Sequence, residues 1–446
     1  VLTILLFTGK IGDLERDREG LFMPDVKPEG LEREWKRLER NLGFYFSRIL
    51  KRPLCPPDHV YFSLTNRCNL KCKMCGIPSA TARIEEELST EQCKGIINQI
   101  AAMKIDHIIF SGGEPVLRKD IYTLIEHAVA KRIVQVDLIS NGLLIDEEIA
   151  RKLTQSGLSH ITLSIDGLEA ANDFIRGRGA FQKAMATIDA FLRARGERPR
   201  PTIGINFTIM DCNIDDMLPM IDLARRKGCN IIVFQPMMSD NTEMRERKKN
   251  DLWVSAPNMS KLREVIQKIL ALKKTAADEF IHIDERILEL IPSYFDGTPF
   301  NHDLKCYEAV VRIVITCGGD LWTCQGLAGN LQRSSLKKQW NSSKAKAIRQ
   351  KVDRCRTHCL QSCVHLFELS DIHTKAVRFV ASIADPKQRR DYGGRLANMF
   401  RHYTNLLRME KLVAVLKKTF RKEPEVSLPD LEREMKKITE SFRAPE

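Results

Sequence analysis

Val60-Tyr61-Phe62-Ser63-Leu64-Thr65-Asn66-Arg67-Cys68-Asn69-Leu70-Lys71-Cys72-Lys73-Met74-Cys75 is a run of strand formers that breaks into a loop carrying three cysteines. The change from β-branched and aromatic residues to Asn and Lys places the cysteines at the C-terminal mouth of a strand. Electron-transfer 4Fe–4S clusters take four thiolates. Zinc sites favour Cys-x2-Cys units with a second pair downstream. A Cys-x3-Cys-x2-Cys triplet with no fourth member nearby reads instead as a cluster whose open iron binds a small molecule. A zinc knuckle or three unrelated buried thiols are the bland alternatives.

Thirty-seven residues past Cys75, the apolar run His107-Ile108-Ile109-Phe110 ends in Ser111-Gly112-Gly113-Glu114-Pro115. This is a second strand mouth, where glycines let backbone groups approach a ligand closely and Glu114 supplies an acceptor for an ammonium group. Further strands follow in rhythm. Val134–Ile139 leads into Ser140-Asn141-Gly142, and His160–Ile165 into Asp166-Gly167, while Pro201–Ile209 and Asn230–Gln235 complete six. Helical segments lie between them, including 120–130 and 215–227, the latter with Asn213 as a plausible cap. Alternating strands and helices mean a parallel sheet with right-handed crossovers. Six repeats predict an α/β fold, a partial (β/α)6 TIM-like barrel open on one side, with its working face at the C-terminal strand ends. That face gathers Ser140, Asn141, Ser164, Asp166 and Asn206, polar side chains suited to a ribose and an adenine edge, or simply to capping the helices that follow.

The cysteine triplet, the Gly-Gly-Glu-Pro segment and their spacing resemble the radical S-adenosylmethionine (SAM) superfamily over about residues 61–235. The resemblance implies that Cys68, Cys72 and Cys75 ligate the catalytic 4Fe–4S cluster and that Gly112, Gly113 and Glu114 face the methionyl end of SAM. It also implies that Ser164 and Arg176 touch its ribose and carboxylate. Met74 departs mildly from the family, which often has an aromatic residue before the third cysteine. The activity implied is reductive cleavage of SAM to a 5'-deoxyadenosyl radical that abstracts hydrogen from a substrate. The electron would come from a low-potential donor such as flavodoxin or ferredoxin.

A second set of cysteines follows the barrel. Cys306 precedes a strand, a Gly318-Gly319-Asp320 turn and a second strand ending at Cys324, so a hairpin is expected to bring Cys306 and Cys324 together. Cys355, Cys359 and Cys363 come at one-turn spacing after a basic helix over 344–352. The layout resembles the SPASM and twitch extensions of radical SAM enzymes, which carry auxiliary 4Fe–4S clusters. Two fully ligated clusters would need eight thiolates and six are present, so one auxiliary cluster is expected. Its ligands would be Cys306, Cys324, Cys355 and either Cys359 or Cys363, with Cys317 spare. Tetrahedral zinc on the same thiolates is the alternative. Cys55, Cys93, Cys212 and Cys229 read as ordinary small core residues.

The 446 residues divide by character into an N-terminal helical extension (1–57), the barrel (58–300), the auxiliary domain (301–370) and a basic helical tail (371–446). Thirteen cysteines, nine of them in the two sets, argue against a secreted disulfide scaffold and for a reducing, cytoplasmic setting. The apolar start, Val1–Phe7, is far shorter than a membrane span. Residues 8–57 look too short for a leader-peptide-binding domain, which favours a small molecule, glycan or lipid precursor over a peptide side chain as substrate. A non-catalytic iron–sulfur protein for electron transfer or redox sensing is the reading of another class, and the Gly-Gly-Glu-Pro segment argues against it.

Residues 371–422 hold thirteen Lys or Arg against four Asp or Glu, most of the chain's formal +13. Leu396, Phe400, Tyr403 and Leu407 form an apolar stripe on a helix there. Packing on its own domain is the ordinary outcome, and peripheral contact with an anionic membrane the sharper one. Nucleic acid is not expected, since no aromatic platform interleaves the charges.

Overall fold

The computed structural model describes residues 28–76, 87–238, 244–275, 279–300, 304–361, 364–365 and 386–420, with isolated positions between 372 and 385. Six parallel strands run in sequence order: β1 (His59–Thr65), β2 (His107–Gly112), β3 (Gln135–Ser140), β4 (His160–Ser164), β5 (Thr202–Ile209) and β6 (Ile231–Pro236). Each lies within two residues of its expected place. The crossovers are α2 (Thr90–Ala102), α3 (Ile121–Ala130), α4 (Glu147–Gln155), the pair α5 (Glu169–Arg176) and α6 (Ala180–Arg195), and α7 (Met217–Arg226). Beyond β6 follow α8 (Met259–Thr275) and α9 (Glu285–Asp296). This is an α/β partial barrel.

Local chemistry sets the helix starts. Ser89 accepts from Gln92 N while Gln92 returns a bond to Ser89 N, a capping box, and Asp146 accepts from Ile149 N at the head of α4. Each cap contributes about 1 kcal/mol. The strands are apolar on the face toward the helices, where Phe62, Phe110, Leu138 and Leu163 have no appreciable solvent contact. On the opposite, lumenal face, one residue out of step, stand polar side chains such as His107, Asp137 and Asn206. Sheet alternation thus builds the core and furnishes the lumen from the same six strands.

The sheet does not end at β1. β8 (Arg312–Ile315) pairs in parallel with β1, placing Arg312 opposite His59 and Ile315 opposite Phe62. β9 (Asp320–Thr323) and β10 (Gly326–Asn330) continue antiparallel, giving nine strands in the order β10-β9-β8-β1-β2-β3-β4-β5-β6. The hairpin expected downstream of the barrel is therefore an extension of its β1 edge, because β8 uses backbone groups that an open barrel leaves unpaired. Cys306 lies outside this hairpin, in a separate ribbon of β7 (Lys305–Cys306) with β11 (Val364–His365). α10 (Leu336–Trp340) and α11 (Ser343–Arg354), the expected basic helix capped by Ser342, complete the region.

The four segments read from the sequence regroup into two compact units, residues 51–366 and the described parts of 1–50 with 367–446. The first is joined because barrel and extension share one sheet. In the second, α1 (Pro28–Leu50) packs on α12 (Pro386–Phe420). Phe46 stacks on Tyr403 at 4.5 Å, and Trp35 meets Tyr392 at 5.6 Å. Arg395 pairs with Glu32 at 3.0 Å, and its hydrogen bond holds the Glu32 carboxyl below the usual range. Leu396 and Tyr403 of the tail's apolar stripe are buried within this unit. Among the described residues no helix is long and apolar enough to cross a membrane.

Candidate functional site

The cysteine loop is tied to four strand mouths. A bulge between Ser63 and Thr65 brings Thr65 beside Gly112. Gly113 N then donates to Thr65 O at 2.7 Å and Glu114 N to Arg67 O at 2.8 Å. Both glycines are forced by this contact. A Cβ on Gly112, whose φ is +136°, would lie 2.2 Å from Thr65 O, and one on Gly113 would lie 2.1 Å from Arg67 O. The closeness read from the sequence is thus an approach to the cysteine loop's own backbone.

Glu114 is fully buried, and both carboxylate oxygens are committed. Oε1 accepts from Ser140 Oγ at 2.9 Å and Val116 N at 3.2 Å, and Oε2 accepts from Asn141 N at 2.8 Å. These bonds couple the β2 mouth to β3, and acceptor capacity remains on a carboxylate with about four lone-pair sites. Burial pushes its carboxyl up to about 7 against the pull of those three bonds. The folded chain therefore holds a proton that the unfolded chain, titrating near the ordinary 4.5, releases. This contribution to stability is complete below about 4.5 and is lost as pH rises through about 7. Wild-type stability to urea should fall by about 1 kcal/mol more between pH 6 and pH 8 than that of Glu114→Gln. Parallel pH profiles for the two proteins would refute this.

Asn141 and Arg176 reach the cysteines themselves. Asn141 Nδ2 donates to Asn69 Oδ1 at 2.8 Å and lies 3.8 Å from Cys68 Sγ, while Leu70 N donates to the same sulfur at 3.4 Å. Arg176 Nη1 lies 3.9 Å from Cys72 Sγ, and Nη2 pairs with the buried Asp166 carboxylate at 2.6 Å. Lys73 N donates to Ile175 O at 3.0 Å, holding the loop against the end of α5. Burial pushes the Cys68 and Cys72 thiols up, and Leu70 N–H at Cys68 and the Arg176 cation at Cys72 pull them back. Cys75 is the exposed member.

Asp166 Oδ1 accepts from Thr208 N at 2.8 Å, joining β4 to β5. Asn213 does not cap α7 as expected. Its Nδ2 donates to Asp166 O and Thr208 O, both at 2.8 Å, from a 3-10 turn (Asp211–Asp216) that intervenes before the helix. Ser164 and Asn206 are register partners on β4 and β5. Both are half-buried, and among the described residues neither side chain has a hydrogen-bond partner. Ser140, Asn141 and Asp166, by contrast, are each hydrogen-bonded between neighbouring strand mouths. Sequence reasoning missed Glu87 and Arg118. Glu87 binds Thr65 Oγ and Arg67 Nε, and Arg118 donates to Leu64 O, Leu88 O and Asp120. No motif marks such a brace.

The donor set fits the cluster read from the sequence. Three thiols share one loop, and N–H groups of Leu70, Asn141 and Arg176 point at two of the sulfurs, the kind of contact that sets cluster potential. Arg176 Nε is buried without a partner, which suits an anionic group of a ligand beside Cys72. A profile of the "Radical SAM superfamily" matches residues 62–224 and one of the SPASM "Iron-sulfur cluster-binding domain" residues 306–363. The chain belongs to the radical SAM superfamily.

It is 36% identical over 203 residues to the Fe-coproporphyrin III synthase of Methanosarcina barkeri, covering 45% of this chain and 48% of that protein. Against mycofactocin maturase MftC of Mycolicibacterium smegmatis it is 30% identical over 243 residues, 53% and 57% of the two chains. The chain thus spans about half the length of these curated relatives. The crystal structure of Streptococcus suis SuiB bound to S-adenosylmethionine superposes with a TM-score of 0.54 at 15% identity, covering 76% of each chain. That likeness concerns the fold.

In the SPASM region, Gln325 Nε2 lies 4.0 Å from Cys324 Sγ and 3.6 Å from Cys355 Sγ, so these two sulfurs share a donor. Gln361 N donates to Cys359 Sγ at 3.4 Å. Cys306 faces Val364 across the β7–β11 ribbon. Cys363 lies outside the described residues, and the choice between it and Cys359 rests on the sequence. Cys317 is buried between β8 and β9, its carbonyl accepting from Leu88 N at 2.8 Å. One catalytic and one auxiliary cluster require about eight iron per chain. A triple alanine variant at Cys68, Cys72 and Cys75 should keep about four, counted by metal analysis. Zinc in place of that iron would remove the auxiliary cluster, and about twelve iron in wild type would mean a third.

Proposed function

We propose that this chain is a SAM-cleaving enzyme that modifies a peptide or protein side chain by hydrogen abstraction. The observation that carries the chemistry is the loop of Cys68, Cys72 and Cys75 bound to the Gly112–Glu114 segment, with the unpartnered Arg176 Nε beside it. A 4Fe–4S cluster held there, with SAM at its open iron, would supply one-electron cleavage of the sulfonium to a 5'-deoxyadenosyl radical. The protein's own part is to fix geometry and exclude water. Glu114 holds the β2 and β3 mouths, Asp166 and Asn213 hold β4 to β5, and Arg176 offers its cation to the methionyl carboxylate. Ser164 and Asn206 offer unclaimed polar groups for the ribose. A low-potential donor such as flavodoxin or ferredoxin supplies the electron.

The peptide reading reverses the preference for a small molecule drawn from the N-terminal segment. It rests on the SPASM match and on mycofactocin maturase among the similar proteins. A second reading, a tetrapyrrole or other small acid, has the support of the 36% identity to Fe-coproporphyrin III synthase. Extract of the producing cell, split by protease digestion and by ultrafiltration, separates the two. Stimulation of 5'-deoxyadenosine release that disappears with protease supports the peptide reading. Stimulation that survives protease and passes the filter overturns it.

A further inference from the structure

The lumenal face carries a second set of metal-binding side chains at the end opposite the cysteines. His59 opens β1, His107 opens β2 and His160 opens β4, three of the chain's ten histidines. The β1–β2 register, Val60 opposite Ile108, sets His59 beside His107, with ring centroids 5.8 Å apart. Asp58 precedes His59. One ligand atom from each of Asp58, His59 and His107 lies within 4.8 Å of the other two. Seven strand residues, about 23 Å at the usual rise, separate this floor from the catalytic mouth.

Hydrogen bonding accounts for only part of this arrangement. Asp58 Oδ2 meets His59 Nδ1 at 3.0 Å, and Asp137 Oδ2 meets His107 Nε2 at 2.8 Å and Gln135 Nε2 at 2.8 Å. Asp137 is only 5% exposed, yet its Oδ1 has no partner, and the buried His59 Nε2 has none either. A buried carboxylate oxygen and a buried imidazole nitrogen left bare are each costly, since both have been taken from water without a replacement partner. Among the described residues, Asp137 thus keeps one carboxylate oxygen and His59 one ring nitrogen without a hydrogen-bond partner.

We infer that Asp58, His59 and His107 bind one divalent transition-metal ion of the zinc class, with Asp137 as the outer carboxylate that orients His107. Imidazole with carboxylate suits zinc and its neighbours rather than magnesium or calcium. A carboxylate on the far nitrogen of a ligating histidine is the usual brace. The ion pins the first residues of β1 and β2 and, through Asp137, β3. It has no part in the cysteine chemistry, and the inference stands whether or not the proposed substrate is correct.

The test uses holoenzyme carrying both iron–sulfur clusters, dialysed against chelator-buffered zinc. One zinc per chain above the iron is expected. Its X-ray absorption edge should show only nitrogen and oxygen ligands at about 2.0–2.2 Å, with no sulfur near 2.3 Å. Asp137→Asn should weaken zinc binding about 10–100-fold, and a His59→Asn, His107→Asn double variant should lose it with iron unchanged. No zinc retained at micromolar free zinc would overturn the site. So would sulfur in the wild-type ligand shell, which needs no variant to fold, or zinc retained in a double variant of full iron content.

Discussion

Cys72→Ala protein, reconstituted anaerobically and given dithionite and SAM, should release no 5'-deoxyadenosine above background where wild type releases it. Cys72 is fixed by contacts on both sides. The loop closes on it through Cys75 N donating to Cys72 O at 3.1 Å, Lys73 N is bonded to Ile175 O, and Arg176 lies against its sulfur. Without this thiolate, two ligands remain for the cluster, one of them the exposed Cys75. Iron should fall from about eight to about four per chain as the auxiliary cluster persists. Cys229→Ala, a change at a buried thiol remote from both sets, should leave iron and product unchanged. Product from Cys72→Ala at the wild-type rate would remove Cys72 from the ligand set. Wild type of full iron content that makes none, with any substrate fraction, would remove the proposed activity.

The barrel was legible because its signals are local. Runs such as His107–Phe110 and Val134–Ile139 end in glycine, asparagine or aspartate, and six of them alternate with helices, so strand positions and the working face follow from pattern alone. The cysteine triplet was legible because its spacing and the Gly112–Pro115 segment downstream are both local signals. What escaped was the tertiary use of side chains. Glu114 and Asp166 read from the sequence as ligand contacts, and the fold adds that both are buried cross-links between neighbouring strands. Glu87 and Arg118 carry no motif, and their partnership spans 31 residues. The pairing of β8 with β1 escaped for the same reason, as edge pairing between segments some 250 residues apart leaves no periodic trace. The histidines at the lumen floor are individually unremarkable. Only the register from β1 through β4 brings them onto one face.

Gly113→Ala should be as damaging as loss of a cysteine, although it removes no ligand. The added methyl would sit 2.1 Å from Arg67 O and 2.6 Å from Arg67 C, both backbone atoms that cannot rotate away. Relief requires breaking the bonds of Gly113 N to Thr65 O and Glu114 N to Arg67 O. Overpacking a filled site typically costs 1–3 kcal/mol, and here the yielding element is the loop that begins one residue later at Cys68. The expected result is iron near four per chain, loss of 5'-deoxyadenosine and retention of the auxiliary cluster. Gly95→Ala is the matched control. It lies inside α2 with nothing within 4 Å of the added carbon, so the same substitution should stabilise by roughly 0.5–1 kcal/mol through helix propensity. If Gly113→Ala keeps eight iron and wild-type turnover, the two mouths are not packed backbone against backbone. The glycine would then serve a ligand, as the sequence first suggested.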